Sequence, residues 1–386
     1  MIPLAIPHLA GREAEYLQSC IESTFVSSVG PFVDRFEQLV ASGAGAAHGV
    51  ATASGTAGLH AALAAVGVAR DELVILPSLT FIASANAIAY QGALPWVMDV
   101  RPDSWTLDPD VVAEALERQT AWDRHRLIHI PTGKRVAAIM PVHVLGTPAE
   151  MDLLLPLAKR YKLPVVADGA AAMGATLHGR AIAEPDGQGA VADLTVFSFN
   201  GNKTITCGGG GAVVGEDEAL MARVRHLTTT ARQGPGYDHD EVGFNYRMTN
   251  LQAAVGCAQM ERKEELVAAK RRIRNRYAEA LGELPGVTPF MAPRWAESAW
   301  WFSGIVLDRS REEQERVRAA LREKGVDARP FWTPIHQQRP YAAAPASKMP
   351  VCDATWWKVL TLPCSCGLGE AEQEQVITAV KQVLES

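Results

Sequence analysis

The sequence predicts an α/β protein: a mostly parallel β-sheet with helices on both faces, then a smaller C-terminal α/β lobe. Three observations lead there. Short Val-, Ile- and Leu-rich runs alternate with helical stretches from about residue 50 to residue 228. Several of these runs end in small or polar residues, where ligands bind in such sheets. A densely charged helical stretch then separates this pattern from a last segment of about 100 residues, an ordinary domain size. The boundary is expected between residues 255 and 256, giving a large domain 1–255 and a small domain 256–386.

The chain has 386 residues, 48% hydrophobic and 21% charged, with a net charge of −6. That gives ample core and no bulk attraction to nucleic acid or an anionic membrane surface. No apolar run reaches the length of a membrane span. The start, MIPLAIPHLAGREAEY, lacks a basic stretch followed by a long apolar core, so no signal peptide is expected. Six cysteines are scattered, and the CxC of Cys364 and Cys366 has no nearby His or second pair. Free thiols in a cytoplasmic protein, with no metal site, are expected.

Glu13 to Ser23 reads as an amphipathic helix, Gly30 and Pro31 as a turn, and Val33 to Ala41 as a second helix. GVATA closes a short strand, SGTAG (Ser54 to Gly58) turns, and LHAALAAVG is a helix of strong formers. A strand entering a small-residue turn at a helix N-terminus is an anion site, because free N–H groups and the positive dipole end face outward. An ordinary Ser/Thr cap reads the same way. Val74 to Leu76 is a strand. Phe81 opens a helix where a flat cofactor could stack, with core packing as the alternative. Pro95 to Asp99 is a strand, and Pro131 to Arg135 is expected as a surface loop before the strand Val136 to Pro141. Met151 to Tyr161 is a helix. The strand in LPVVAD ends on Asp168, either a turn-former or a buried anion awaiting a cation.

Lys203 follows the strand Leu194 to Phe199 and precedes four glycines, Gly208 to Gly211, and another short strand. A lysine held in a pocket has a lowered pKa, and its neutral amine can attack a carbonyl. A surface-loop lysine is the plainer reading. Glu218 to Leu227 is helical. GFNYR carries Asn245 and Arg247 just before a helix capped by Thr249 or Asn250. The last lobe has a strand in WWFSGIVL, a helix over Arg311 to Lys324 and a final helix over Glu370 to Leu384. The tandem tryptophans at 300–301 and 356–357 are expected in core or interface.

Taken together, SGTA, LTF, an Asp at a strand end, SFNGNK and GFNYR resemble the DegT/DnrJ/EryC1/StrS family of nucleotide-sugar aminotransferases. The resemblance runs from IPLAIPHL to LPCSCGL, and is closest to the LegC-like branch. It implies a fold type I transferase dependent on pyridoxal 5′-phosphate (PLP). Lys203 would form the Schiff base and shuttle a proton, and Asp168 would pair with the ring nitrogen. Phe81 would stack on the ring. Ser54, Gly55, Thr56, Ala57 and Ser198 would hold the phosphate. Asn245 would reach the phosphate in a neighbouring subunit, making the active unit a homodimer with shared sites. Arg247 and His336 are carried over as substrate residues, with an interface role for Arg247 and a structural role for His336 as alternatives. The donor would be glutamate, and the acceptor a UDP-linked 4-keto-6-deoxy-N-acetylhexosamine or a dTDP- or GDP-linked relative, in glycan biosynthesis. One departure stands out: the family often carries Glu, Gln or His three residues after the Asp, and here that position is Ala171.

Three competing readings remain. A dehydratase or deoxygenase of the same fold would carry His at position 203. A non-catalytic PLP-binding sensor or docking protein would need no turnover. A Rossmann enzyme would need GxGxxG opening a helix, not GGGG.

Overall fold

A computed structural model describes residues 1–385. Helices α1 (Glu13–Ser23) and α2 (Pro31–Ala44) come first. Strand β1 (His48–Thr52) leads into α3 (Gly55–Ala65), and β2 (Leu73–Pro77) into α4 (Ile82–Tyr90) and β3 (Leu94–Met98). Helix α5 (Pro109–Gln119) precedes a hairpin of β4 (Thr120–Asp123) and β5 (Arg126–His129), then β6 (Lys134–Ile139), α6 (Met151–Arg160) and β7 (Val166–Asp168). Two short strands, β8 (Thr176–Leu177) and β9 (Arg180–Ala181), lie between these and β10 (Leu194–Ser198) and β11 (Gly211–Gly215).

The central sheet runs β3-β2-β6-β7-β10-β11-β1, with parallel bridges Ile139–Val165 and Val142–Asp168 joining β6 to the β7 side. Only β11 runs against the others. The mostly parallel sheet therefore follows the expectation, and the strand alternation explains its two covered faces. In β2, Leu73 and Ile75 pack under α5 and α6, while Val74 and Leu76 pack under α3 and α4. In β10, Val196 faces α3, and Phe197 faces the layer of α1 and α2.

Lys134 and Arg135 were expected in a surface loop; they begin β6 instead. His129 pairs with Lys134 and Ile128 with Arg135, and their cations meet Asp71 at 3.2 Å and Glu72 at 2.9 Å. The hairpin hides in the sequence because β4 is exposed along most of its length and shows no apolar alternation.

Beyond the sheet come α7 (Glu218–Thr228), a small hairpin of β12 (Arg232–Gln233) and β13 (Asp238–His239), α8 (Asn250–Met260) and α9 (Lys263–Leu281). Thr249 caps α8 in a capping box with Gln252. Helix α8 packs on α1 and α2, and its buried Asn250 accepts from Phe32 N–H at 3.0 Å and donates to the Phe25 carbonyl at 2.8 Å. The expected boundary at 255 falls inside this continuous helix. The C-terminal lobe holds β14 (Val287–Pro289), β15 (Ala296–Glu297), β16 (Ser303–Leu307), α10 (Arg311–Glu323), β17 (Arg329–Pro330), α11 (Pro350–Thr355), β18 (Val359–Leu362) and α12 (Glu370–Glu385). Its sheet order is β14-β16-β18-β17, and β15 pairs instead with β8. The first residues of the chain join this lobe: Ile2 bridges Val326, and Cys364 N–H donates to the Leu4 carbonyl at 2.7 Å. All six cysteines are free, and no described helix is long and apolar enough to cross a membrane.

Candidate active site

The carboxyl ends of β1, β2, β7 and β10 open onto one cleft of about 620 Å³. That lies within the roughly 300–1,000 Å³ of small-molecule sites. Its wall includes Ser54, Gly55, Thr56, Phe81, Asp168, Ala171, Ser198 and Lys203.

The anion-binding turn comes from close packing. A Cβ on Gly211 would lie 2.5 Å from the Ser54 backbone, and one on Gly55 would lie 2.8 Å from Ser198 Cβ. Glycine at both positions lets β11 and β10 press against the turn. Ser54 caps α3 by accepting from Ala57 N–H at 3.1 Å. The Ala57 amide is thus already engaged. The amides of Gly55 and Thr56, with no intrahelical acceptor, and the hydroxyls of Thr56 and Ser198 remain to face an anion.

Asp168 is 5% exposed. Its Oδ2 accepts from Ser84 Oγ at 2.7 Å and its Oδ1 from Ala170 N–H at 3.0 Å. Burial raises its pKa, while Ser84, Ala170 and the charge of Lys203 act the other way. Ser84 lies in the first turn of α4, one turn past Phe81. Nothing in the sequence singles it out, since a serine there reads as a helix surface residue.

Lys203 sits in the loop between β10 and β11. Phe199 anchors that loop: its ring meets Phe36 edge-on at 5.0 Å, and its carbonyl accepts from Cys207 N–H at 2.8 Å. Gln252 from α8 donates to the Gly209 carbonyl at 2.8 Å. Lys203 Nζ has no hydrogen-bond acceptor among the described residues and lies 3.3 Å from the centroid of the Trp301 ring. Burial lowers its pKa to about 7, with Asp168 opposing. The amine is therefore neutral above about pH 7 and charged below it, whereas a free lysine stays charged to roughly pH 10.4.

Trp301 is in the core as expected, 5% exposed, and it also lines the cleft, where Phe302, Phe331 and Trp332 continue its aromatic wall. Phe81 is 54% exposed, 5.9 Å from the Trp332 ring. Trp301, Phe302, Phe331 and Trp332 come from the C-terminal lobe, whose approach to the sheet no local pattern encodes. His143 was also missed. It is buried, its Nδ1 accepts from Ala149 N–H at 2.9 Å, and desolvation lowers its pKa to about 4. The neutral ring carries its proton on Nε2, which has no partner.

Four sequence candidates lie outside this wall, and one of them, Ala57, only adjoins it through its amide bonded to Ser54. Asn245 is exposed on a strip that bridges Thr229, and Arg247 lines a separate cavity of about 290 Å³ with Phe25, Val29 and Asp34. His336 is engaged at both ring nitrogens, by Ser78 at 2.6 Å and Asp353 at 3.0 Å.

The chain's likenesses agree with this geometry. A model of the DegT/DnrJ/EryC1/StrS aminotransferase family matches residues 7–381. The chain belongs to that family. It is a pyridoxal phosphate-dependent aminotransferase of fold type I. A GDP-perosamine synthase of Caulobacter vibrioides is 37% identical over 99% of this chain and 98% of its own. One of Escherichia coli O157:H7 is 34% identical over 100% and 98%. The crystal structure of DesI, determined in the presence of its TDP-sugar product, superposes with a TM-score of 0.86 at 29% identity, covering 100% of this chain and 92% of that one.

Proposed function

We propose that this enzyme is a sugar aminotransferase that moves an amino group from glutamate to a nucleotide-linked 4-keto-6-deoxy sugar, GDP-linked by preference. The observation that carries the chemistry is the meeting of Lys203 and Asp168 in one cleft beside a helix N-terminus cleared by glycines. The residues fit PLP. The N-terminus of α3 with Thr56 and Ser198 suits its phosphate, Asp168 its ring nitrogen, and Phe81 the ring face. When bound, the cofactor supplies an electrophilic aldehyde and an electron sink.

The chain's own groups do the rest. Asp168 holds the ring nitrogen in its protonated form, because an anion nearby favours the cation. Ser84 and Ala170 N–H favour the ionised carboxylate against the effect of burial, and aim it. Lys203 Nζ, neutral above about pH 7, accepts a proton from the carbon that bears the donor's amino group and returns it at the cofactor. The aromatic wall gives the cleft an apolar side.

The acceptor's nucleotide rests on the relatives. Two that cover nearly the whole chain are GDP-perosamine synthases, which favours GDP over the UDP-linked sugar of the LegC-like reading. DesI, seen with a TDP-sugar, keeps a dTDP-linked sugar as the second reading. A second copy of the chain would bring Asn245 to the phosphate. Supporting this, Asn245 is exposed and outside its own chain's cleft, and Ile21, Phe25, Val26 and Val29 form an exposed apolar run nearby.

The test is a panel of GDP-, UDP- and dTDP-linked 4-keto-6-deoxy sugars with glutamate, each product identified by mass. The GDP-linked sugar is expected to show the highest kcat/KM. No turnover of any member, with PLP bound, would favour a binding protein instead.

A further inference from the structure

Trp301 is held at three points. Its N–H donates to the Leu145 carbonyl at 2.9 Å, and its carbonyl accepts from Lys270 Nζ at 2.9 Å. Its indole Nε1–H donates to the Asn202 carbonyl at 2.7 Å, one residue before Lys203. Trp300, just ahead, takes a left-handed φ of 50°, which bulky residues rarely adopt. That bend turns the next side chain inward, where the Trp301 ring stacks on Phe302 at 3.9 Å. The indole cannot swing away, and its face lies 3.3 Å from Lys203 Nζ.

We infer that Trp301 is a positioning residue for Lys203, its ring face being the resting place of the ammonium whenever that amine is not joined to the cofactor. The reaction displaces Lys203 from a covalent bond and needs it back as a proton carrier. An ammonium with no acceptor and a long stem would otherwise turn toward water. The ring's negative face holds a cation without a hydrogen bond and without removing its proton. The neutral amine is held less well, so the platform releases Lys203 when it is deprotonated. Other charged or titratable groups facing Lys203 in the cleft are Asp168 from β7, His143 from the turn after β6, and Arg329 from β17, itself paired with Asp327.

This inference rests on Lys203 being the reactive amine. The experiment uses full-length protein stripped of PLP. The rate of labelling of Lys203 by an amine-selective reagent is followed against pH by peptide mass spectrometry. The wild-type midpoint is expected near pH 7. Trp301→Leu keeps an apolar wall but removes the face, and should lower the midpoint by roughly 0.4–1.5 pH units. Trp301→Phe should fall between. In case the leucine variant does not fold, mono-, di- and trifluorotryptophan placed at position 301 keep the shape while draining the face. They should lower the midpoint stepwise. A midpoint that stays put across the fluorinated series, or that rises in Trp301→Leu, would overturn the inference and leave the indole as a wall against water. Borohydride trapping of PLP on residue 203 of wild type reports separately on the function itself: its absence would sink the reading of Lys203.

Discussion

Two lysines flank Trp301, and they differ in what their amines touch. Lys270, 2% exposed, donates to two backbone carbonyls, those of Trp301 at 2.9 Å and Cys364 at 2.6 Å. It joins α9 to the strand-end segments of the C-terminal lobe. Lys203 has a ring face and a carboxylate in the same cleft but no hydrogen-bond acceptor. A buried ammonium with acceptors is a structural tie, its hydrogen bonds replacing those it made to water. One without acceptors loses hydration and gains nothing equivalent, so its neutral form becomes accessible and reactive. The residue type is the same; the supply of oxygen atoms decides the role.

The comparison can be broken at either lysine. Lys203→Ala should cut amino transfer by at least about 10³-fold, the scale of a lost acid–base group, with circular dichroism unchanged. Retained turnover would move the reactive amine elsewhere, and Lys270 would be the first place to look. Asp168→Asn should lower kcat by about 10²–10³-fold, the size of a lost electrostatic partner. Wild-type rates would mean the ring nitrogen is served by another group. Lys270→Met should do the opposite of Lys203→Ala. Two buried carbonyls lose their donor, costing about 2–4 kcal/mol in denaturant unfolding, while PLP still attaches at residue 203. A variant of full stability would show that this tie contributes little. Ser84→Ala should have the smallest effect, about tenfold in kcat, because one hydrogen bond to a charged group is worth roughly 1.5–3 kcal/mol and Ala170 N–H remains. An effect as large as that of Asp168→Asn would make Ser84 an equal partner rather than a support.

The same contrast marks what could be read from the chain. The strand ends were legible, because each carries its own signal: a β-branched run, then SGTAG, Asp168 or Lys203. They meet because parallel strands put all their carboxyl ends on one edge. Trp301 and Ser84 carried no such signal. Trp301 reaches the cleft through contacts with Leu145 and Lys270, far apart in sequence, and a tandem tryptophan reads equally well as core. Arg247 and His336 lie apart from these strand ends: His336 is tied between Ser78 and Asp353, in keeping with the structural alternative, and Arg247 lines a different cavity. The hairpin at residues 120–129 was missed for a local reason, its exposed first strand.

The ties at Trp301 also bear on how the molecule opens. The C-terminal lobe is bonded to the lysine loop through Asn202, to the turn after β6 through Leu145, and to the chain's own first residues through Cys364 and Leu4. A clamshell motion about a hinge would have to break the first two at once, because the first residues travel with the lobe. The hydrogen bonds at Asn202 and Leu145 thus hold the two halves of the monomer together beside the cleft.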